Sequence, residues 1–180
     1  MLLANCSGNM KSIAKISEII NRFHEQGETI AAANFLIEEY GIKHPNFEGF
    51  ELREKAKPEF ILMTTEGTFG QKQIVRIPEN TFEFPLPLMV NLIAHEMIHV
   101  GQKVEEDAYP DRNEREWLAY CEMLFHTTYP QVPDASVFHQ KFFAGKALDY
   151  YRKMGENSEL QLKYAAQKVE VENLIASLAK

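Results

Sequence analysis

Cysteine is scarce in this chain of 180 residues, which contains only Cys6 and Cys121. Two thiols cannot form the disulfide framework of a small secreted domain, and they are too few for a zinc site built from cysteines. Glycine and proline contribute only 9 and 8 residues, which excludes a linker-like or collagen-like chain. Hydrophobic residues make up 45% and charged residues 25%, so the composition is that of a globular protein. The length predicts one domain over residues 1–180.

Basic residues and long apolar runs are also lacking. Lys and Arg number 19 against 26 Asp and Glu, and a net charge of -7 does not indicate nucleic-acid binding. No stretch reaches the roughly 18 apolar residues that span a bilayer. The start of the chain, MLLANCSGNM, lacks the basic region and the apolar length of a signal peptide. We therefore expect a cytoplasmic protein without nucleic-acid or membrane partners, either a monomer or an oligomer of unknown size.

Helical spacing of apolar residues characterises the N-terminal part of the chain. Residues 10–26 and 28–40 each follow this pattern. Asn9 is a candidate N-cap and Gly27 a candidate stop for the first of these helices. The pattern predicts a helical hairpin within residues 1–45.

The C-terminal part of the chain shows the same spacing. It predicts helices over residues 134–152, with Asp134 as N-cap, and over residues 157–178. Together they form a C-terminal helical region over residues 134–178. Aromatic residues at helical spacing in this region are expected in the core, namely Phe138, Phe142 and Phe143.

The middle of the chain, residues 59–126, combines short strands with helices. The runs at residues 59–64 and 73–78 favour strands, joined through two glycines as a hairpin. Pro45 and Gly49, before them, indicate a loop. Two helices are predicted after the strands, over residues 87–103 and 111–126. The whole chain is therefore expected to have an α+β fold, mostly helical, with a small antiparallel or mixed sheet next to the helix over residues 87–103.

The most informative residues are His95, Glu96 and His99, which form the pattern H-E-x-x-H. Residues at positions i and i+4 lie on one face of a helix, so the two imidazoles can bind one Zn²⁺. Glu96 then lies beside the metal, where a carboxylate can take a proton from a metal-bound water. The helix is apolar on nearly all sides, and buried polar groups are costly unless a partner satisfies them. The alternative is a pair of hydrogen-bonded core histidines with a solvated glutamate.

A catalytic zinc site needs a third protein ligand. A third histidine at position 105 is absent, because Gln102 and Glu105 occupy the positions where a longer histidine pattern would continue. Glu114 follows Asp111 at the spacing of a capping box, which gives it a structural role. Glu116 has no such role, and we expect it to be the third ligand. The remaining candidates are Glu114, Glu105, Glu122, His126 and His139.

The segments HEMIHVGQ and, further along, NEREWLAYCEM resemble the zincin superfamily of zinc metallopeptidases. The resemblance is greatest to the gluzincin branch, whose compact bacterial and phage-type members have a similar H-E-x-x-H-x-x-Q pattern and a later E-x-E. It covers roughly residues 73–125. It implies a zincin-like domain with one zinc ion held by His95, His99 and Glu116, with Glu96 as the catalytic base. Well-known gluzincins have an aspartate four residues after the ligand glutamate, where this chain has Tyr120.

The resemblance and the H-E-x-x-H pattern lead us to expect a metallopeptidase that hydrolyses peptide bonds in a peptide or protein substrate. The strand at residues 73–78 is then a candidate exposed edge strand that pairs with an extended substrate, and the alternative is an ordinary strand of the hairpin. The negatively charged oxygen that develops on the substrate carbonyl during hydrolysis should accept a hydrogen bond from a further donor. The candidates for this donor are Tyr109, Tyr120 and Tyr129. Two alternatives are a zinc hydrolase acting on a substrate other than a peptide and a zincin-fold binding or regulatory module.

Overall fold

A computed structural model describes residues 11–179. The first helices and strands along the chain are α1 (Ile13–Glu25), α2 (Thr29–Glu39), β1 (Phe47–Arg53), β2 (Thr64–Glu66) and β3 (Gln73–Pro78). A short 3-10 turn (Thr81–Glu83) is followed by α3 (Leu86–Gln102), α4 (Arg112–Phe125), α5 (Val137–Lys153), α6 (Glu159–Lys163) and α7 (Ala165–Leu178). The predicted α+β fold dominated by helices is confirmed.

The three strands form one mixed sheet in the order β1-β3-β2. Strand β3 pairs in parallel with β1 and antiparallel with β2, so it is the central strand. Its buried side chains, which include Val75 and Ile77, explain why a central position is favourable. The prediction that residues 73–78 form an exposed edge strand is therefore wrong. Among residues 11–179, the edge strand that lies beside α3 is β2.

Two segments of the sheet differ from what the sequence predicts. Residues expected to form a loop around Gly49 belong to β1, which changes its pairing register at that glycine and packs the rings of Phe47 and Phe50 together. The strand expected over residues 59–64 begins only at Thr64, because a turn closed by a bridge between Lys57 and Phe60 occupies the preceding segment. Both errors concern segments whose structure depends on pairing with β3.

The helices agree with the sequence, but several ends differ. Helix α1 begins after Ser12, whose hydroxyl accepts a hydrogen bond from the amide of Lys15, and the candidate cap Asn9 lies outside the described residues. Ser136, and not Asp134, caps α5. The helix expected over residues 157–178 is interrupted at Tyr164, which separates α6 from α7.

Two aromatic residues of α5 are exposed instead of buried. Phe138 is 74% exposed and Phe142 is 51% exposed, whereas Phe143 lies in the core. The helix packs on α4 and α7 through the face that carries Phe143, and the other two rings project from its free side. Helical spacing suggests a core position for all three rings, but α4 and α7 cover only the face of α5 that carries Phe143.

Helix α3 occupies the centre of the fold. It contacts β2 and β3 and also packs against α4, which in turn packs against α5. Its side chains Met89, Ile93 and Met97 are fully buried, as is Trp117 of α4. Burial of each such side chain contributes about 1.5–3 kcal/mol relative to exposure, so the α3–α4 pair is firmly held. Among residues 11–179, no helix combines the length and apolar character needed to cross a membrane.

Candidate metal centre

The two histidines of the H-E-x-x-H pattern lie one turn apart on α3 and turn their rings toward each other. The Nε2 atoms of His95 and His99 are 3.1 Å apart, and the ring planes are nearly perpendicular. The side chains are 9% and 16% exposed, so the pair lies close to the surface without being freely solvated. This arrangement follows from the helical repeat, which places residues i and i+4 on the same face.

Glu116 on α4 completes a cluster with these histidines. Its carboxylate oxygens lie 3.7 Å from Nε2 of His95 and 3.9 Å from Nε2 of His99. The three potential ligand atoms all lie within 4.8 Å of one another. Within residues 11–179, the carboxylate of Glu116 accepts no hydrogen bond from a protein donor. The structure thus brings together the three residues that the sequence predicted as ligands, and this group could hold a metal ion.

The spacing and the chemistry of the cluster fit a divalent ion. Two atoms bonded at about 2.0–2.1 Å to one tetrahedral zinc lie about 3.3 Å apart, close to the 3.1 Å between the two Nε2 atoms. The separations from Glu116 are a few tenths of an ångström longer, which a rotation of its flexible side chain can close. Two imidazoles and one carboxylate also form a ligand set that zinc accepts in catalytic sites.

The other candidates for a third ligand have different surroundings. Glu105 is exposed after the end of α3. Glu122 accepts hydrogen bonds from the backbone amides of Thr128 and Tyr129. The two histidine candidates lie near other polar residues, His126 near Asp134 and His139 near Ser136. None of these residues joins the cluster within the part of the chain described here.

Glu114 is buried, but it does not form the predicted capping box. Asp111 caps α4 by accepting from the amides of Asn113 and Glu114, as expected. The carboxylate of Glu114 does not return to the cap and instead accepts hydrogen bonds from Lys163 at 2.8 Å and from the hydroxyl of Tyr164 at 2.6 Å. The capping-box prediction is therefore wrong for Glu114, because partners at the junction of α6 and α7 compete for its side chain.

The surroundings of His95 favour a neutral ring. Burial lowers the pKa of His95 well below its usual range, and the nearby His99 lowers it further. The backbone carbonyl of Ala119 on α4 acts in the opposite direction, although Nδ1 of His95 has no hydrogen-bond partner of regular geometry. A neutral imidazole is the form that binds a metal, so burial prepares this side chain as a ligand.

Glu96 lies beside the cluster and is held by the sheet. The hydroxyl of Thr65 on β2 lies 2.8 Å from the backbone oxygen of Glu96 and 2.9 Å from its Oε2. Lys103 in turn donates to the backbone oxygen of Thr65 at 2.7 Å. Burial raises the pKa of Glu96, and so does Glu116, whereas His99 and the bonds from Thr65 lower it. The net rise in the pKa makes this carboxyl group a better proton acceptor than an exposed glutamate.

Tyr120 is the tyrosine of the three oxyanion candidates that lies at the cluster. Its ring meets the ring of His95 edge to face at 4.7 Å and stacks on Tyr150 of α5 at 5.8 Å. Burial raises the pKa of both tyrosines, and the carboxylate of Glu116 raises it further, so both hydroxyls stay protonated at neutral pH. Tyr109 and Tyr129 instead line a different cavity of about 410 Å³, whose lining includes none of the three cluster residues.

Three residues beside the cluster have roles that the sequence does not assign to them. Gln102, at the end of α3, contacts Nδ1 of His99 at 2.8 Å and donates to the backbone carbonyl of Arg115 at 3.0 Å. Its position three residues after His99 was a usable signal, since residues i and i+3 are neighbours on a helix. Thr65 and Tyr150 reach the site only through the packing of β2 and α5, for which no local sequence signal exists.

Comparisons of the chain with protein-family models, with curated proteins and with solved structures gave no significant match. The functional assignment therefore depends on the residues of the cluster and on their surroundings.

Proposed function

We propose that this protein is a zinc-dependent metallopeptidase in which Glu96 is the general base. The observation that carries the proposal is the meeting of His95, His99 and Glu116 from two helices, with a buried carboxylate next to them. Each of these groups is costly to bury, and within residues 11–179 the carboxylate of Glu116 has no protein hydrogen-bond donor. A metal ion provides a common partner for all three.

In this proposal His95, His99 and Glu116 hold the ion. When bound, a zinc ion supplies Lewis acidity, which lowers the pKa of a bound water toward about 7 and polarises a substrate carbonyl. The partial exposure of the ligand side chains leaves one side of the cluster accessible to a substrate. A site with three protein ligands and an accessible side is typical of catalytic zinc rather than structural zinc.

Glu96 is suited to move a proton. Thr65 holds its carboxylate at one oxygen, Oε2, which leaves the other oxygen free to accept a proton from a nucleophilic water. The same carboxyl group can then pass the proton to the leaving amine. The ring of Tyr120 lies against His95 and stacks on Tyr150, and both hydroxyls stay protonated, so we propose these two tyrosines as the candidate donors to the developing oxyanion.

The sheet supports a peptide as the substrate. Strand β2 has no partner on its outer edge within the described residues 11–179, and it contacts Glu96 through Thr65. An extended peptide that added to this edge would pass next to the proposed base. The edge belongs to β2 and not to the strand at residues 73–78, so we propose β2 as the strand that aligns a peptide or protein substrate.

The decisive experiment compares Glu96→Gln with the wild-type protein. We expect Glu96→Gln to bind zinc with unchanged stoichiometry and to lose peptide hydrolysis by at least about 100-fold, because the amide cannot take the proton. Zinc content would be measured by elemental analysis, and hydrolysis with a mixed peptide library read by mass spectrometry. The control is Glu105→Gln, which removes an exposed glutamate just after the same helix and should leave both quantities unchanged.

Four outcomes would contradict the proposal. A wild-type protein that binds no zinc would remove its basis, and a fully active Glu96→Gln variant would refute the role of the base. Zinc binding without cleavage of any peptide, but with cleavage of ester or amide compounds of another kind, would indicate a non-peptide hydrolase. Zinc binding without any turnover would indicate a binding or regulatory module.

A further inference from the structure

Gln102 connects the two helices that carry the proposed ligands. It is the last residue of α3, is buried, and uses both ends of its side-chain amide. One end contacts Nδ1 of His99, and the other donates to the carbonyl of Arg115, the residue directly before Glu116 on α4. A single side chain therefore joins one proposed ligand to the backbone beside another.

The partners of Gln102 determine which way its amide faces. A backbone carbonyl can only accept a hydrogen bond, so the NH₂ end of Gln102 must face Arg115. The oxygen end then faces His99, and this oxygen is also only an acceptor. Nδ1 of His99 must therefore carry a proton.

This proton fixes the chemistry of the other ring nitrogen. In a neutral imidazole with its proton on Nδ1, the lone pair is on Nε2. Nε2 of His99 is the atom that faces the cluster, 3.1 Å from Nε2 of His95 and 3.9 Å from Oε1 of Glu116. The opposite tautomer would point an N–H into the cluster and would exclude a metal.

We infer that Gln102 is a positioning residue, which holds His99 in the tautomer and orientation that bind a metal. The inference rests on the proposed zinc site. His95 provides a contrast within the same cluster, because its Nδ1 has no hydrogen-bond partner of regular geometry. His99 is thus the ligand that a dedicated side chain orients. Loss of a partner of this kind typically weakens metal affinity by about 10–100-fold.

The test uses two substitutions at this position. Gln102→Met keeps the length of the side chain and removes both polar ends, so zinc affinity should fall by about 10–100-fold. Gln102→Glu keeps an oxygen that accepts from Nδ1 of His99 but cannot donate to Arg115, so zinc affinity should stay within a fewfold of the wild type. Both affinities would be measured by competition with a chromophoric chelator.

A matched control separates positioning from a general loss of packing. Gln167 on α7 accepts a hydrogen bond from Nε1 of Trp117 on α4 at 2.8 Å and contacts none of the proposed ligands. Gln167→Met should therefore lower the melting temperature of the metal-free protein and leave zinc affinity unchanged. If Gln167→Met weakens zinc binding as much as Gln102→Met does, Gln102 acts through packing and the inference is wrong.

A spectroscopic measurement tests the inference without a metal. In the metal-free wild-type protein at alkaline pH, the nitrogen chemical shifts of the His99 ring should show the proton on Nδ1. In Gln102→Met this preference should be lost. A wild-type ring protonated on Nε2 would overturn the inference. A wild-type protein with the expected tautomer but without zinc affinity would instead refute the proposed function and leave the role of Gln102 in orienting His99 standing.

Discussion

Two glutamates on α4 are two residues apart and have opposite surroundings. The side chain of Glu114 is 4% exposed, and its carboxylate accepts hydrogen bonds from Lys163 and Tyr164. Glu116 is 18% exposed, and its carboxylate faces two histidine nitrogens at distances beyond a hydrogen bond. Glu114 is therefore satisfied by the protein, whereas Glu116 accepts no hydrogen bond within residues 11–179 and faces two further potential metal ligands.

A third glutamate of the same helix resembles Glu114, because hydrogen-bond donors of the protein surround its carboxylate. Glu122 is buried and binds the backbone amides of Thr128 and Tyr129, which fixes the chain after α4. A buried carboxylate that stabilises the fold thus has N–H or O–H donors around it. A carboxylate that binds a metal has other ligand atoms around it. Burial alone does not separate the two roles, but the chemistry of the neighbours does.

The largest effect that tests this contrast is the stabilisation of the protein by zinc. At a free zinc concentration about 1,000 times the dissociation constant, binding adds about 4 kcal/mol to the free energy of unfolding. For a chain of this size, such a change raises the melting temperature by roughly 8–16 °C. We expect this shift in the wild type and in Glu114→Gln, and not in Glu116→Gln, when melting is followed by calorimetry with zinc and with chelator.

A zinc-dependent shift that persists in Glu116→Gln would show that another residue completes the site. A shift lost in Glu114→Gln would show that the distinction between the two glutamates is false. The two variants carry the same chemical change on the same helix, so differences in helix propensity do not enter the comparison.

Without metal, Glu114→Gln should lower the free energy of unfolding more than Glu116→Gln does. Glu114→Gln replaces a charged acceptor of two hydrogen bonds by a neutral one, so we expect the free energy of unfolding to fall by about 1 kcal/mol. Glu116→Gln removes a charge without breaking a hydrogen bond within residues 11–179, so stability should be unchanged or slightly higher. Urea unfolding in the presence of chelator measures both. Equal destabilisation by the two substitutions would mean that Glu116 also has a structural role.

The part of the site that is local in sequence could be predicted. The spacing of His95 and His99 is a property of one helix, and the sequence favours Glu116 over Glu114 because Glu114 stands at capping-box spacing from Asp111. The selected residue does lie in the cluster, but the competing role was wrong, since Glu114 binds Lys163 and Tyr164 instead of the helix cap. The partners of Glu114 lie about 50 residues further along the sequence, and no local sequence pattern predicts them.

The parts of the fold that were missed depend on distant partners. Strand β1 has an irregular register at Gly49 and exists as a strand because β3 offers it a pairing edge. Strand β3 was recognised as a strand, but its central position is decided by β1 and β2. The approach of Thr65 to Glu96 follows from the same sheet. Period and composition identify helices and strands, whereas the order of strands in a sheet requires the tertiary structure.

The smallest predicted effect is the pH dependence of the stability of the metal-free protein, to which His95 and Glu96 contribute with opposite signs. Burial lowers the pKa of His95 below 6.5, so in metal-free protein the unfolded state takes up this proton first and stability falls as the pH drops below about 6.5. Burial raises the pKa of Glu96 above 4.5, so the folded state takes up that proton first and stability rises as the pH drops through the raised value. The two contributions partly cancel in the wild type.

Substitutions separate these contributions. With chelator present, Glu96→Gln should lose stability more steeply than the wild type as the pH is lowered from 7.5 to 5, because the compensating carboxyl group is gone. His95→Asn should lose stability less steeply, because the group that resists protonation in the folded state is gone. Urea unfolding at a series of pH values measures both slopes. If both substitutions changed the slope in the same direction, burial would not shift the pKa values of His95 and Glu96 in opposite directions. The electrostatic difference between this cluster and the hydrogen-bonded Glu114 would then be refuted.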